Sequence, residues 1–375
     1  MRILHVSDGY RPRLGGIEVF VEDLARRQAE AGHDVSVLTA SGHPTDETAD
    51  DDGPVRVVRT PSTLLHPVGG RLARETLLAG RYDVVHAHLS VISPFTTALA
   101  RLADESGLAT VNTVHSMWGS RRSLVRAVRA VADWDRSAAA WTAVSRAAAV
   151  DVRDVLAPGT PIHVVPNAVD VDWWREGARW PAAGGPVTLV SVMRIAGRKR
   201  PFALLAMLEA LRAQVPEDVD LRALVVGDGP HARRMQAEVD RGPLAGWVRL
   251  LGRRTREEIR DLYGAADLYV APAHEESFGI AALEARAAGL PVVAMRSGGV
   301  GEFVEHEVDG LLCEDDAAMT AALVRLCTVA GDRRGMAAHN AAYPPVQDWQ
   351  RVLDDFEAVY RTTGAGQGLG WFSGR

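Results

Sequence analysis

The sequence predicts an α/β protein of two domains, each built on a parallel sheet with helices between its strands. Three observations carry that expectation. The chain has 375 residues, long for one core and suited to two domains of ordinary size. Residues 2–6, 17–29 and 33–39 read in turn as an apolar strand, an amphipathic helix ended by Gly32 and a second strand, which together make a right-handed βαβ unit. A new buried strand opens at residues 187–192, after a stretch rich in Trp, Gly, Ala and Pro at 173–185 that reads as the linker. In open parallel sheets ligands bind outside the carboxyl ends of the strands, so the residues that follow each strand are the functional candidates.

Composition narrows the class. A hydrophobic content of 47% with 24% charged residues is that of a soluble globular protein. No apolar run approaches bilayer length, and residues 1–8 read as a first strand without the long apolar core of a signal peptide, so a cytoplasmic protein is expected. The balance of 42 basic and 48 acidic residues, a formal charge of −6, excludes a general nucleic-acid binder, which needs a strongly basic surface. Cys313 and Cys327 lack CxxC or Cys/His clustering and read as small core residues.

In the first half, the loop from Asp8 to Gly16 carries adjacent Gly15 and Gly16, which let backbone come close to a ligand; taken alone it is equally a tight turn. Residues 42–54, polar and without periodicity, read as a mobile loop. The strand at 82–88 places His86 and His88 on one face. Such a pair can hold a metal, but with no third ligand apparent nearby a structural role is preferred and no metal site is assigned. A further strand at 109–115 ends in His115, on the side where ligands belong; the residues by themselves favour an ordinary core or surface histidine. Arg121, Arg122, Arg126 and Arg129, interleaved with Leu124, Val125, Val128 and Val131, form a basic amphipathic helix. In an acidic protein a solvated face is preferred there over contact with anionic lipid.

In the second half, the strand at 187–192 delivers Arg194 and Lys199 from its carboxyl end. Such a pair suits a diphosphate, since each cation makes charge-assisted hydrogen bonds worth roughly 1.5–3 kcal/mol where water is excluded. Arg198 and Arg200 are expected to face solvent. Gly227-Asp228-Gly229-Pro230-His231-Ala232 has the weak form of the dinucleotide fingerprint, but the acidic residue expected after the next strand is missing from 248–252, and Pro230 reads as a first-turn proline. Arg253 follows in the next loop. After the apolar strand at 267–271 comes a loop and then a helix with Gly279 at its start, where unpaired N–H groups and the positive dipole end receive phosphate. Glu276 falls in that loop and Glu284 about two turns along the helix, so one carboxylate can meet a sugar while the other reaches hydroxyls farther along the same ligand.

The Glu276-x7-Glu284 pattern, with Ser277-Phe278-Gly279 inside it and Ala288-Gly289-Leu290-Pro291 behind it, closely resembles the signature of the retaining family-4 glycosyltransferases. Arg194-x4-Lys199, Gly227-Asp228-Gly229-Pro230 and Pro166-Asn167-Ala168-Val169-Asp170, with Ala168 where Gly is usual, extend the resemblance from residue 10 to 360. It implies the GT-B fold, two Rossmann-like domains facing across a cleft: residues 1–171 on the acceptor side, 172–345 for the nucleotide sugar, a last helix at 346–362 crossing back to the first domain, and a loose tail at 363–375. The implied reaction moves a sugar from a UDP- or GDP-sugar to the hydroxyl of a small-molecule or lipid-linked acceptor, by a front-face route that needs no cofactor and no metal. His115 and Glu276 become the catalytic candidates. Gly15, Gly16, Arg194, Lys199, Ser277, Phe278, Gly279, Ile280 and Glu284 become the donor site, with Arg253 in the nucleobase loop. Arg286 where Met is usual, and Ala281 where some relatives have Pro, leave the donor sugar open. The alternatives are an NAD-dependent dehydrogenase and a non-catalytic module that binds sugar nucleotides.

Overall fold

The computed structural model describes residues 1–13, 15–41, 48–61, 71–177 and 185–364. Residues 365–375, most of the expected loose tail, lie outside the described residues. The chain divides into two compact units, Met1–Asn167 with Trp349–Arg375, and Ala168–Asp348.

In the first unit the strands are β1 (Arg2–Ser7), β2 (Asp34–Thr39), β3 (Thr48–Asp52), β4 (Val55–Arg59), β5 (Val84–Leu89), β6 (Thr110–Val114), β7 (Ala140–Ala143) and β8 (Ile162–Val164). They lie in the order β3-β4-β2-β1-β5-β6-β7-β8, parallel except where β3 pairs antiparallel with β4. Helices α1 (Gly16–Glu30), α2 (Arg71–Ala79), α3 (Pro94–Glu105), α4 (Arg122–Val131) and α5 (Arg146–Arg153) intervene. The inner strands are buried almost end to end, the pattern of a parallel sheet covered on both faces. The chain reverses direction across the sheet at β1, which pairs with β2 on one side and β5 on the other. The switch point of this unit therefore lies at the ends of β1 and β5.

Two expectations need correction in this region. Residues 48–52 of the expected mobile loop are the edge strand β3, held by register pairs from Thr48↔Arg59 to Asp52↔Val55; a run of aspartates carries no period-2 apolar signal from which a strand could be read. Residues 173–176 of the expected linker belong to the helix α6 (Val171–Glu176), capped by the Asp170 carboxylate on Trp173 N (3.1 Å), with Trp174 fully buried. Residues 178–184 lie outside the described residues.

The second unit continues with β9 (Val187–Val192), α7 (Pro201–Gln214), β10 (Leu221–Val226), α8 (Ala232–Arg241), β11 (Val248–Gly252), α9 (Arg256–Gly264), β12 (Leu268–Ala271), α10 (Ile280–Ala287), β13 (Val292–Met295), β14 (Gly310–Cys313), α11 (Asp316–Thr328) and α12 (Ala330–Ala342). Its all-parallel sheet has the order β11-β10-β9-β12-β13-β14, so β9 and β12 flank the switch point. Cys313 and Cys327 are buried free thiols in this core, and burial raises both pKa values, to about 11 and about 12. The last helix, α13 (Trp349–Thr362), packs with the first unit: Phe20 of α1 stacks on Trp349, 5.6 Å between centroids, and Tyr360 is fully buried.

The strand ends around β9 are joined backbone to backbone. Met193 N donates to Val226 O (3.0 Å), Ile195 N to Asp228 O (2.9 Å) and Gly227 N to Gly252 O (2.8 Å). Gly227 has φ +131, and a Cβ there would overlap the Met193 carbonyl; a Cβ on Gly229 would overlap that of Ile195. These glycines serve close approach of backbone to backbone. Gly227→Ala should therefore cost at least about 1–3 kcal/mol, whereas Gly335→Ala, at an exposed position of α12 with nothing within 4 Å of the new methyl, should gain up to about 1 kcal/mol. Denaturant midpoints of the two variants, moving in opposite directions from wild type, check the assignment.

Candidate active site

In the second unit the loop after β9 carries both predicted cations. Arg194 is exposed, and its side chain has no hydrogen-bond or ion-pair partner among the described residues. Its neighbours are held in place by turns: Ala196 N donates to Arg194 O (2.8 Å) and Lys199 N to Ala196 O (2.9 Å). Lys199 is not a second free cation, because its ammonium is paired with the Glu276 carboxylate. Arg200, expected to face solvent, instead makes a bidentate pair with Asp316 (2.8 and 2.7 Å) and donates to Pro272 O (3.0 Å), joining this loop to the one after β12. It also takes a left-handed φ of +54 at the cap of α7, which leads its side chain away from the position a regular helix would give it. Arg198 stays partly exposed near Glu275 at 3.8 Å.

The loop from Pro272 to Gly279 is held from behind. Gly299 N donates to Glu276 O (2.7 Å), a Cβ on Gly298 would stand 2.8 Å from that same oxygen, and one on Gly299 would overlap Ser277 O. Phe278 is buried against Phe303, 5.2 Å between centroids. Gly279 caps α10 with φ +98; a Cβ there would lie 2.8 Å from Val300 Cγ2 and 3.4 Å from Glu276 Cγ. The first N–H groups of α10, beginning at Ile280, have no intrahelical acceptor and face the region just past the cap. Glu284 is buried in the second turn of α10. Burial, reinforced by the Glu276 and Glu284 charges, keeps the Tyr269 hydroxyl protonated, and that hydroxyl donates to Val192 O (3.1 Å) at the end of β9. Ser277, Phe278, Gly279, Ile280, Glu276 and Lys199 are thus brought together. Arg253 is exposed and pairs at 3.2 Å with Asp228, in the turn stitched to the Arg194 loop.

In the first unit Gly15 is the extended N-cap of α1 and Gly16 is its first residue rather than part of the loop, since the Gly15 carbonyl already accepts from Val19 N (3.1 Å). The Glu18 carboxylate lies against Gly9 and Gly15, where side chains would collide with it, and pairs with Arg13 at 3.0 Å. No residue pattern singled out Glu18 beforehand, although its place three residues past Gly15 is the available signal. The cations of α4 reach toward α5 and its C-terminal turn: Arg122 grips Asp151 (2.9 and 2.5 Å), Arg126 donates to Asp154 O (3.0 Å) and Arg129 to Val155 O (2.6 Å). Arg121 and Arg126 are nonetheless exposed and Val125 is buried, so the face remains largely solvated. Leu124 and Val131 are exposed.

His115 stands just past β6, buried, with its N–H donated to Leu89 O (2.9 Å). Its ring belongs to a cluster with His5, His86 and His88, and here the expectation that no third histidine lies near the His86/His88 pair is overturned. The register of β1 on β5 sets His5 opposite His86, and ligand atoms of His5, His86 and His88 lie within 4.8 Å of one another. The sequence signal was a histidine inside an otherwise apolar strand; the strand order that makes it a neighbour was not visible. Burial depresses the pKa of every member, His5 to about 4, His115 to about 3, and His86 and His88 well below the usual histidine value.

Two parallel α/β units, each with polar residues gathered at the carboxyl ends of its switch-point strands, define the class: a nucleotide-sugar glycosyltransferase of GT-B type. The model of Glycosyltransferase Family 4 matches residues 14–173, and that of Glycosyl transferases group 1 matches residues 174–336. The glycogen synthase of Mycobacterium tuberculosis H37Rv is 30% identical, over 98% of this chain and 96% of its own length. The D-inositol 3-phosphate glycosyltransferase of Salinispora tropica is 29% identical, over 95% of this chain and 83% of its own. Among solved structures, sucrose-phosphate synthase from Thermosynechococcus elongatus superposes with a TM-score of 0.75 at 21% identity (97% of this chain, 99% of that one). Anabaena HepE in complex with UDP and glucose gives 0.74 at 20% identity (96% and 100%). The chain belongs to the family-4 glycosyltransferases. The dinucleotide-binding alternative falls with this, since the Gly-Asp-Gly turn spends its glycines on the backbone of the neighbouring loop.

The buried histidines make stability depend on pH in a stated direction. An unfolded histidine titrates near 6.5; below that pH the unfolded chain takes up protons that the folded cluster refuses. Stability is thus complete above about pH 6.5 and declines toward the folded values by up to about 1.4 kcal/mol per pH unit for each histidine. Denaturation at pH 7.5 and 5.5 should show a loss of at least about 2 kcal/mol at the lower pH. A flat profile would mean that the cluster is already charged or open to water.

Proposed function

We propose that this enzyme transfers a glycosyl group from a UDP- or GDP-sugar to an acceptor hydroxyl, with retention of configuration and without a divalent metal. The observation that carries the reading is the Arg194 side chain just past β9, without a partner among the described residues, in the same unit as the Lys199–Glu276 pair and the open N–H groups of α10. A diphosphate gains charge as its bond to the anomeric carbon breaks, and a guanidinium, an ammonium and a helix start fixed in advance stabilise that charge without reorganising. Glu276, already ion-paired with Lys199, is suited to binding sugar hydroxyls more than to attacking carbon as a double displacement would need. On the front face the acceptor oxygen bonds to the anomeric carbon as the carbon–oxygen bond to phosphate breaks, and a phosphate oxygen takes the acceptor proton. Glu284 takes the nucleotide ribose, Arg253 lines the base, and Gly15, Gly16 and His115 contact the donor and acceptor. The HepE complex with UDP makes a UDP-sugar the first donor to try, with a small-molecule or lipid-linked hydroxyl as acceptor.

The reading is tested by thermal shift with UDP and GDP side by side, since a ligand at a hundredfold over its Kd stabilises by about 2.7 kcal/mol, and by NMR of the product anomer. Inversion, or activity lost in chelator and restored by magnesium or manganese, would overturn it.

Arg194→Ala and Lys199→Ala should each reduce turnover as well as donor affinity, and the double variant should cost less than the sum, with a coupling of roughly 0.5–3 kcal/mol. Additive losses in that cycle would remove the shared diphosphate clamp. Glu284→Ala should weaken free nucleotide in calorimetry, whereas Glu276→Ala should spare it, because removing that carboxylate frees Lys199. Equal losses at both positions would contradict the assignment of ribose to one and sugar to the other.

A further inference from the structure

The cluster around His115 is a single hydrogen-bonded chain. His115 Nε2 meets His88 Nδ1 at 3.0 Å, His88 Nε2 meets His5 Nδ1 at 2.9 Å, and His5 Nε2 meets Gln28 Oε1 at 2.7 Å. From Gln28 the chain runs on: Nε2 donates to the Tyr360 hydroxyl (3.0 Å), which meets His86 Nδ1 at 2.8 Å, and His86 Nε2 meets Thr113 Oγ1 at 2.6 Å, itself 2.5 Å from Thr142 Oγ1. All of these side chains are buried, and burial keeps the four imidazoles neutral. A neutral imidazole has one donor and one acceptor nitrogen, so the direction of one link dictates the next.

Begin at the amide. Gln28 presents its oxygen to His5, so His5 carries its proton on Nε2 and offers a lone pair at Nδ1. His88 must then donate from Nε2 and accept at Nδ1, and His115 must donate from Nε2. That leaves Nδ1 of His115 bare. The other branch closes consistently: Tyr360 accepts from Gln28 and donates to His86 Nδ1, His86 donates to Thr113, and Thr113 to Thr142. Turning the amide over would reverse every proton in the chain, so the orientation of Gln28 and the tautomer of His115 are one variable.

We propose that Gln28 on α1 and Tyr360 on α13 are positioning residues that, acting through His5 and His88, fix His115 as the Nε2–H tautomer with an unprotonated Nδ1. A bare Nδ1 accepts a hydrogen bond from a hydroxyl and repels the opposite arrangement, so the chain decides what His115 can do for a donor sugar; that consequence rests on the role proposed for His115 above. The rival use of these groups is a three-histidine metal site, given the spacing of His5, His86 and His88. All six of their ring nitrogens are already engaged in the chain, so a metal would have to break at least two of its links.

The test is ring 15N NMR of the full-length protein labelled at histidine, with His115 assigned from His115→Asn. The wild type should show a protonated Nε2 and a bare Nδ1 at His115. Tyr360→Phe, which removes one hydroxyl and no volume, and Gln28→Leu should each give a mixture of His115 tautomers, with kcat falling at least about tenfold and the donor KM changing less. A role in stability alone would not move the tautomer of a ring three links from Gln28 and four from Tyr360. An Nδ1–H tautomer in the wild type, an unchanged tautomer in a folded Tyr360→Phe variant, or stoichiometric zinc held by His5, His86 and His88 would each overturn the proposal. If the tautomer shifts as stated while transfer survives both in these variants and in His115→Ala, the chain stands and the catalytic role of His115 falls.

Discussion

The constraint on which the strand-end loops of the second unit depend is the close approach of the Gly227–Gly229 turn to the carbonyls of Met193 and Ile195. Buried on both faces, the parallel sheet exposes useful backbone only where its strands end, and at β9 three such ends are fastened by N–H to carbonyl bonds. Arg194 is carried on this seam and so is held by backbone. The loop after β12 is fixed in the same way, with Gly298 and Gly299 pressed to the backbone of Glu276 and Ser277. Electrostatic preorganisation of this kind needs rigid supports, and glycine supplies them by admitting one backbone to van der Waals contact with another.

The first unit solves a different problem. It buries four imidazoles, two amide or phenol groups and two hydroxyls where an apolar core would be simpler. Unpaired, such groups would be costly; as one satisfied network they cost little and hold a single arrangement. Phe20 wedges against His88 and His115, and Phe356 against His86, so aromatic packing closes the network from the α1 and α13 side. The return of α13 to this unit is thereby chemical as well as architectural, because it delivers Tyr360.

Much of this was legible in the residues. The alternation of apolar runs with helical periodicity gave the strand and helix order, and Arg194, Lys199, Glu276, Gly279 and Glu284 announced themselves by spacing and by following strands. Local pattern failed where pairing is made by backbone or by partners far along the chain. The aspartate strand β3 has no apolar face to read, and α6 is too short to show a period; Arg200 was misplaced because its partner Asp316 lies 116 residues away.

The sequence by itself determined the two-sheet α/β architecture and the place of Arg194, Lys199, Glu276, Gly279 and Glu284 after strands or on the helix that follows, since both follow from periodicities and spacings that any backbone of this kind must honour. Only the tertiary structure decided that Lys199 is paired with Glu276, that Gly227 and Gly229 face backbone and not a ligand, and that His5 completes a chain from His115 to Tyr360. The reason is physical. Strand order and helix packing bring together groups whose separation along the chain, 77 residues for the ion pair and 332 for Gln28 and Tyr360, leaves no trace in local pattern.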